Sequence, residues 1–290
     1  MGEHINIVVY GFTTDSQEIS ILAEELLKKG LLPCPGYTLH SELEDVTLHN
    51  SHLAFVNVVT IKHELRTCIP TGAYDNAVSL SKSLKATNNG AVINEIVTKL
   101  ISTSPRNVME YAYKLWNSGA KNIVRDHFPE SFRLIFNEDD LIIVNKGYRQ
   151  ALKLDANTDR YNDRLAWGDK NDKTSKRVSW KIIPVWNSDS LTFKLYNTDC
   201  NMYLKLDVNV DNIGDRKVWG SYNSDEDRHR YYLEPLIKDG TLVFFIINCQ
   251  YHQGLKLAVN VDSLGDRLLW GHNGSVYNEH ERFRWIIAAW

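Results

Sequence analysis

Residues 130–290 carry one pattern three times, and this repeat constrains the fold more than any other feature. Ala151–Gly168 (ALKLDANTDRYNDRLAWG), Tyr203–Gly220 (YLKLDVNVDNIGDRKVWG) and Gly254–Gly271 (GLKLAVNVDSLGDRLLWG) align without a gap. Trp167, Trp219 and Trp270 recur at intervals of about 52 residues, as do the Asp-Arg pairs at 163, 215 and 266. Asn145, Asn197 and Asn248 each close a preceding apolar strand: LIIVN, LTFKLYN and LVFFIIN. A later aromatic-led strand also recurs, at Trp180-Lys181-Ile182, Tyr232-Leu233-Glu234 and Trp285-Ile286-Ile287. One fifty-residue unit of short strands cannot bury both its apolar face and its edges, whereas three units around a pseudo-threefold axis can. A β-trefoil with four strands per unit is therefore expected, since three blades fall below the usual range for a propeller.

The preceding residues follow another period. Tyr74, Ala77, Leu80 and Leu84 mark one helical stripe, and Val92, Ile93, Ile96, Val97, Leu100 and Ile101 a second. Ser104-Pro105 reads as a capped helix start, with Val108, Met109, Ala112, Tyr113 and Trp116 on one face and Gly119 as the stop. A short helix follows over Ala120–Arg125. Before the Pro70-Thr71-Gly72 break, Ile5–Tyr10 and Leu53–Thr60 read as strands. Ile19, Leu22, Ala23, Leu26 and Leu27 between them read as a helix face. The expected fold class is thus an α+β multidomain chain: an acidic α/β segment at 1–72, an all-α helical domain at 73–129 and a C-terminal β-trefoil at 130–290.

With 33 Lys+Arg against 36 Asp+Glu, the net charge of −3 argues against a nucleic-acid partner, which needs many phosphate-neutralising cations. No apolar run approaches the ~20 residues of a spanning helix, so integral membrane association is not expected. The first thirty residues are broken by acidic side chains and do not read as a secretory leader. Cys34, Cys68, Cys200 and Cys249 form no metal-type pair, and the histidines have no ligand spacing. His229 in particular is flanked by Arg228 and Arg230, which disfavour a bound cation. No metal or cofactor is expected, and no catalytic motif appears.

The candidate ligand residues are Asp215, Arg216 and Trp219, with Asp266, Arg267 and Trp270. An aromatic face with a neighbouring acceptor and donor is what a sugar ring needs. Two readings stand: these triplets bind sugar, or they repeat because the fold repeats, with Gly214 and Gly265 making tight turns and the indoles packed on the barrel. Asn162 replaces glycine in the first repeat, which leaves room for a different turn there. The Gln-x-Trp element of ricin-type lectins is absent, because Val178-Ser179 precedes Trp180.

Asn107–Phe136 (NVMEYAYKLWNSGAKNIVRDHFPESFRLIF), Lys173–Ser188 and the LKL…DR..WG units closely resemble the lepidopteran low-molecular-mass (30K) lipoproteins over residues 73–290. The resemblance implies a helical domain joined to a β-trefoil in an abundant haemolymph and fat-body protein. It further implies storage, lipid association, recognition of glucose-type sugars or glucans in innate immunity, and protection of cells from apoptosis. It implies no enzymatic activity and an extracellular location, although the sequence as written opens on the acidic segment where the family has a leader. The chain departs from the family at Val108 and His127, where cysteines are common.

Overall fold

Period-two burial marks some of the C-terminal strands, while others are buried along both faces. Leu141–Asn145 alternates buried and half-buried side chains, as a strand with one face on a core must. The computed structural model describes residues 61–290 apart from 87, 171–173, 188–189, 276 and 278–279. The strands expected at Ile5–Tyr10 and Leu53–Thr60, and the helix between them, lie outside the described residues.

Each repeat supplies four strands. The first has β1 (Leu141–Asn145), β2 (Ala151–Leu154), β3 (Arg164–Asp169) and β4 (Trp180–Asn187). The second has β5 (Ser190–Asn197), β6 (Met202–Leu206), β7 (Arg216–Ser221) and β8 (Tyr231–Lys238). The third has β9 (Thr241–Asn248), β10 (Gly254–Leu257), β11 (Arg267–His272) and β12 (Trp285–Ala289). All pairings are antiparallel. The long β8–β9 hairpin turns on Asp239 and Gly240, both at positive φ, the conformation that a two-residue hairpin needs. The first strand closes on the last, with Leu141 opposite Ala289 and Asn145 opposite Trp285. At the other end β3, β7 and β11 pair with one another. Between these closures lie Leu152, Trp180, Leu204, Tyr231, Leu255 and Trp285, all essentially inaccessible to water. The indoles of Trp180 and Trp285 satisfy their N–H groups on the carbonyls of Leu152 and Leu255 at 2.8 and 3.0 Å.

Among the described residues a helical run over 61–68 and then five helices precede the strands: α1 (Tyr74–Ala86), α2 (Ala91–Thr103), α3 (Pro105–Asn117), α4 (Lys121–His127) and α5 (Glu130–Phe136). Pro105 opens α3 as expected, but the Ser104 side chain makes no capping hydrogen bond. The chain separates into two compact units between Ile96 and Val97, inside α2. Within the unit from Val97 onward, α3 and α5 lie directly on strands. Phe132 meets Phe244 (ring centroids 6.4 Å apart), Phe136 meets Phe193 (6.4 Å), and Tyr113 stacks on Trp186 (5.6 Å). Arg106 spans the same contact, with its guanidinium 4.0 Å from the Tyr232 ring and 2.5 Å from the buried Glu234 carboxylate.

The expected fold class is corrected by this arrangement. Among the described residues the twelve strands form one hydrogen-bonded sheet, and the unit from Val97 onward is mainly a closed antiparallel β-barrel carrying a few helices, not an all-α domain followed by a β-trefoil. The physical reason lies in the helix faces. The apolar stripes of α3 and α5 are completed by strand side chains, so these helices share the barrel's core. A smaller correction concerns register: Tyr231, not Tyr232, takes the place of Trp180 and Trp285, opposite Asn248 as they are opposite Asn197 and Asn145.

Candidate functional site

The repeated residues converge where β3, β7 and β11 meet. Three buried asparagines set the frame. Asn145, Asn197 and Asn248 donate to pairs of carbonyls just before the paired strands β12, β4 and β8: Arg282 and Arg284, Arg177 and Ser179, Arg228 and Arg230. Their Oδ1 atoms accept the amide N–H of Tyr148, Cys200 and Tyr251 at 3.0–3.1 Å. An inaccessible amide with both ends satisfied fixes each strand exit in the same geometry.

The aspartates of the Asp-Arg pairs form a ring of ion pairs between repeats. Lys153 Nζ lies 2.6 Å from Asp266 and 2.8 Å from Asp169. Lys205 lies 2.5 Å from Asp163, and Lys256 lies 2.5 Å from Asp215. Each lysine thus reaches the aspartate of the preceding repeat. Burial alone would lower the Lys153 pKa, but the hydrogen bonds it donates to Asp169 and Asp266 outweigh it and hold the ammonium above its usual value. Burial of Asp215 pushes its pKa up, but Lys256, the Asn273 N–H and His272 together hold the carboxyl below its ordinary range. The three lysines were missed from sequence. Their signal is the invariant Leu-Lys-Leu, each lysine standing opposite a motif tryptophan in its hairpin: Lys153 and Trp167, Lys205 and Trp219, Lys256 and Trp270.

The six sequence-predicted residues therefore lie on or beside β7 and β11, and Asp215, Arg216, Trp219, Asp266 and Arg267 have protein partners. Asp215 and Asp266 are buried in the ion-pair ring. Arg216 donates to the carbonyls of Asp207 and Val208 and lies 3.8 Å from the Tyr251 ring. Arg267 does the same with Ala258, Val259 and the Tyr148 ring, also at 3.8 Å. Trp219 and Trp270 are half-buried, and the Trp219 indole N–H donates to the Asp207 carboxylate at 3.0 Å. The glycine after each tryptophan is a close-approach position. A Cβ at Gly220 would sit 2.3 Å from Leu154, and one at Gly271 would sit 2.8 Å from Leu206. Among the described residues no group of three or more His, Cys, Asp or Glu is arranged to hold a metal ion.

The arginines and a further aspartate make the loops before β3, β7 and β11 rigid. Asp159, Asp211 and Asp262 each accept two backbone N–H groups at 2.8–3.0 Å. Gly214 and Gly265 take positive φ, and Asn162 takes the same left-handed conformation at φ 62°, so the three turns match. Two of these loops present aliphatic side chains to solvent. Val208, Val210 and Ile213 lie on one, and Val259, Val261 and Leu264 on the other. Ile213 is 62% and Leu264 68% exposed. Sequence reasoning missed them, because the Val-Asn-Val-Asp run looks like strand until the loop hydrogen bonds are seen.

Residues 60–289 match the family model described as lepidopteran low molecular weight (30 kD) lipoprotein. The chain is 44% identical over 218 residues to microvitellogenin of Manduca sexta, covering 75% of this chain and 88% of that protein. It is 40% identical over 229 residues to low molecular mass lipoprotein 3 of Bombyx mori, covering 79% of this chain and 90% of that one.

Proposed function

The chain belongs to the lepidopteran low molecular weight (30 kD) lipoprotein family, and on that premise we propose that it is a non-catalytic, extracellular carrier or storage protein that associates reversibly with lipid. The observation that carries this reading is the set of six exposed aliphatic side chains on two matching rigid loops. Nothing in the barrel needs them: their backbones are held by aspartate, arginine and glycine, and their side chains point away from the core. Transferring part of six such side chains from water to an acyl environment contributes on the order of 5 kcal/mol. The loops are already ordered, so little entropy is lost on docking. Among the described residues no helix is long and apolar enough to cross a membrane, which suits peripheral association. Mass spectrometry of lipids extracted from protein purified from its native source without detergent tests the reading. Co-purifying acyl lipid in defined stoichiometry is expected, and a lipid-free protein would count against a carrier.

A second reading, glucan recognition in innate immunity, is favoured by the half-buried rings of Trp219 and Trp270 beside Asp215, Arg216, Asp266 and Arg267. With both aspartates paired to lysine and both arginines stacked on tyrosine, a glucose-type sugar would be met mainly by the indole faces. A glycan array comparing the protein with Trp219→Ala and Trp270→Ala decides this reading, because binding that survives both changes removes the indoles from the site.

A further inference from the structure

The three repeats place the same two groups together at each junction, with one exception. The third residue after each framework asparagine is Tyr148, Cys200 or Tyr251, and all three amides donate to that asparagine's side chain. The backbone course is therefore shared. At two junctions an arginine of another repeat lies over the tyrosine ring, Arg267 on Tyr148 and Arg216 on Tyr251, each guanidinium carbon 3.8 Å from the ring centroid. The third arginine, Arg164, is anchored in the same way, to the carbonyls of Asp155 and Ala156, but it faces Cys200. At that junction the structure has a cleft of about 410 Å³, lined among others by Arg164, Arg177, Cys200 and Tyr222. Its size falls in the range of small-molecule sites.

We propose that this cleft binds a small planar phenolic ring, which stacks on the Arg164 guanidinium as the tyrosines stack at the sister junctions. A guanidinium held by two carbonyls offers a fixed cationic face, and that face prefers the electron-rich surface of an aromatic ring to a saturated one. Arg177 stiffens the adjoining wall, because its Nε and Nη2 both donate to the Leu154 carbonyl at 3.2 and 2.8 Å. Tyr222, largely exposed at the rim, supplies a second ring to cover the ligand. The thiol of Cys200 is not the reactive element here, since burial holds its pKa above that of a free thiol.

The test is a titration of the full chain with 4-methylphenol, followed by NMR shifts and calorimetry. One saturable site per chain is expected, with shifts clustered at residues 155–164, 177 and 200–222. Cys200→Tyr fills the cleft with the chain's own ring and should weaken binding about tenfold or more. Tyr251→Cys should open a second site at Arg216 and raise the stoichiometry to two. Should that variant not fold, the Cys200→Tyr comparison decides alone. The proposal is overturned by no saturable binding to the wild-type chain, by undiminished binding to Cys200→Tyr, or by equal affinity for cyclohexanol, which has no aromatic face.

Discussion

The loop 155–163 of the first repeat and the loops 207–215 and 258–266 of the others share a backbone and differ in what they show to water. All three are tied by an aspartate that accepts two amides and by an arginine that donates to two carbonyls. The first carries Ala156, Thr158 and Tyr161 where the others carry valine, valine and isoleucine or leucine. Side chains that the fold requires are therefore the ones that stay the same across repeats. Side chains that the fold does not require are free to differ, and an exposed aliphatic in such a place calls for an explanation outside the fold.

Five changes sharpen that contrast. The largest effect is expected at the ion-pair ring. Lys153→Ala strands two buried carboxylates, Asp169 and Asp266, and should lower unfolding free energy by about 3–5 kcal/mol in urea denaturation. Lys205→Ala should cost less, because Asp163 is more open to water than Asp266. Next comes His229, a fully buried histidine where the other repeats have Val178 and Phe283. Burial, reinforced by Arg228 and Lys205, pulls its pKa down to about 4. A depressed histidine pKa means that stability is complete above the unfolded value near 6.5. It is then lost progressively as pH falls toward 4, by about 3 kcal/mol in all. His229→Val should flatten this part of the stability profile, and urea midpoints at neutral and acid pH would show an unchanged slope if the idea is wrong. Gly220→Ala forces a methyl into Leu154 and should cost about 1–3 kcal/mol, read as a lower thermal midpoint. The smallest effect is expected when the second loop is given the first loop's side chains (Val208→Ala, Val210→Thr, Ile213→Tyr). Stability should stay within about 0.5 kcal/mol while affinity for lipid falls.

Much of this was legible in the chain. The spacing of the tryptophans and Asp-Arg pairs announced a threefold β structure, and helical periodicity placed α1 to α4. What a helical stripe covers is not written in the stripe. Val108 and Trp116 would be buried equally in a separate bundle or on strands, and the structure puts α3 on the barrel. Lys153 between Leu152 and Leu154 reads as the solvent face of a strand, because period two assigns polar residues outward. The pairing of β3, β7 and β11 covers that face, and such closure is a long-range fact that local patterning does not carry. Tyr231 and Tyr232 illustrate the same limit: adjacent aromatics on one strand face opposite ways, and only the register with Asn248 selects between them. The exposed valines were hidden for a related reason, since β-branched residues signal strand whether or not hydrogen bonds turn the segment into a loop.

The central claim is that the two aliphatic loops, and not the repeated Asp-Arg-x-x-Trp-Gly framework, meet lipid. Flotation with neutral phosphatidylcholine vesicles tests it most directly, comparing the wild-type protein with the folded variant Ile213→Ser/Leu264→Ser. The wild-type chain is expected to float with the vesicles, and the double variant, equally stable, to stay behind. Equal flotation of the two would contradict it.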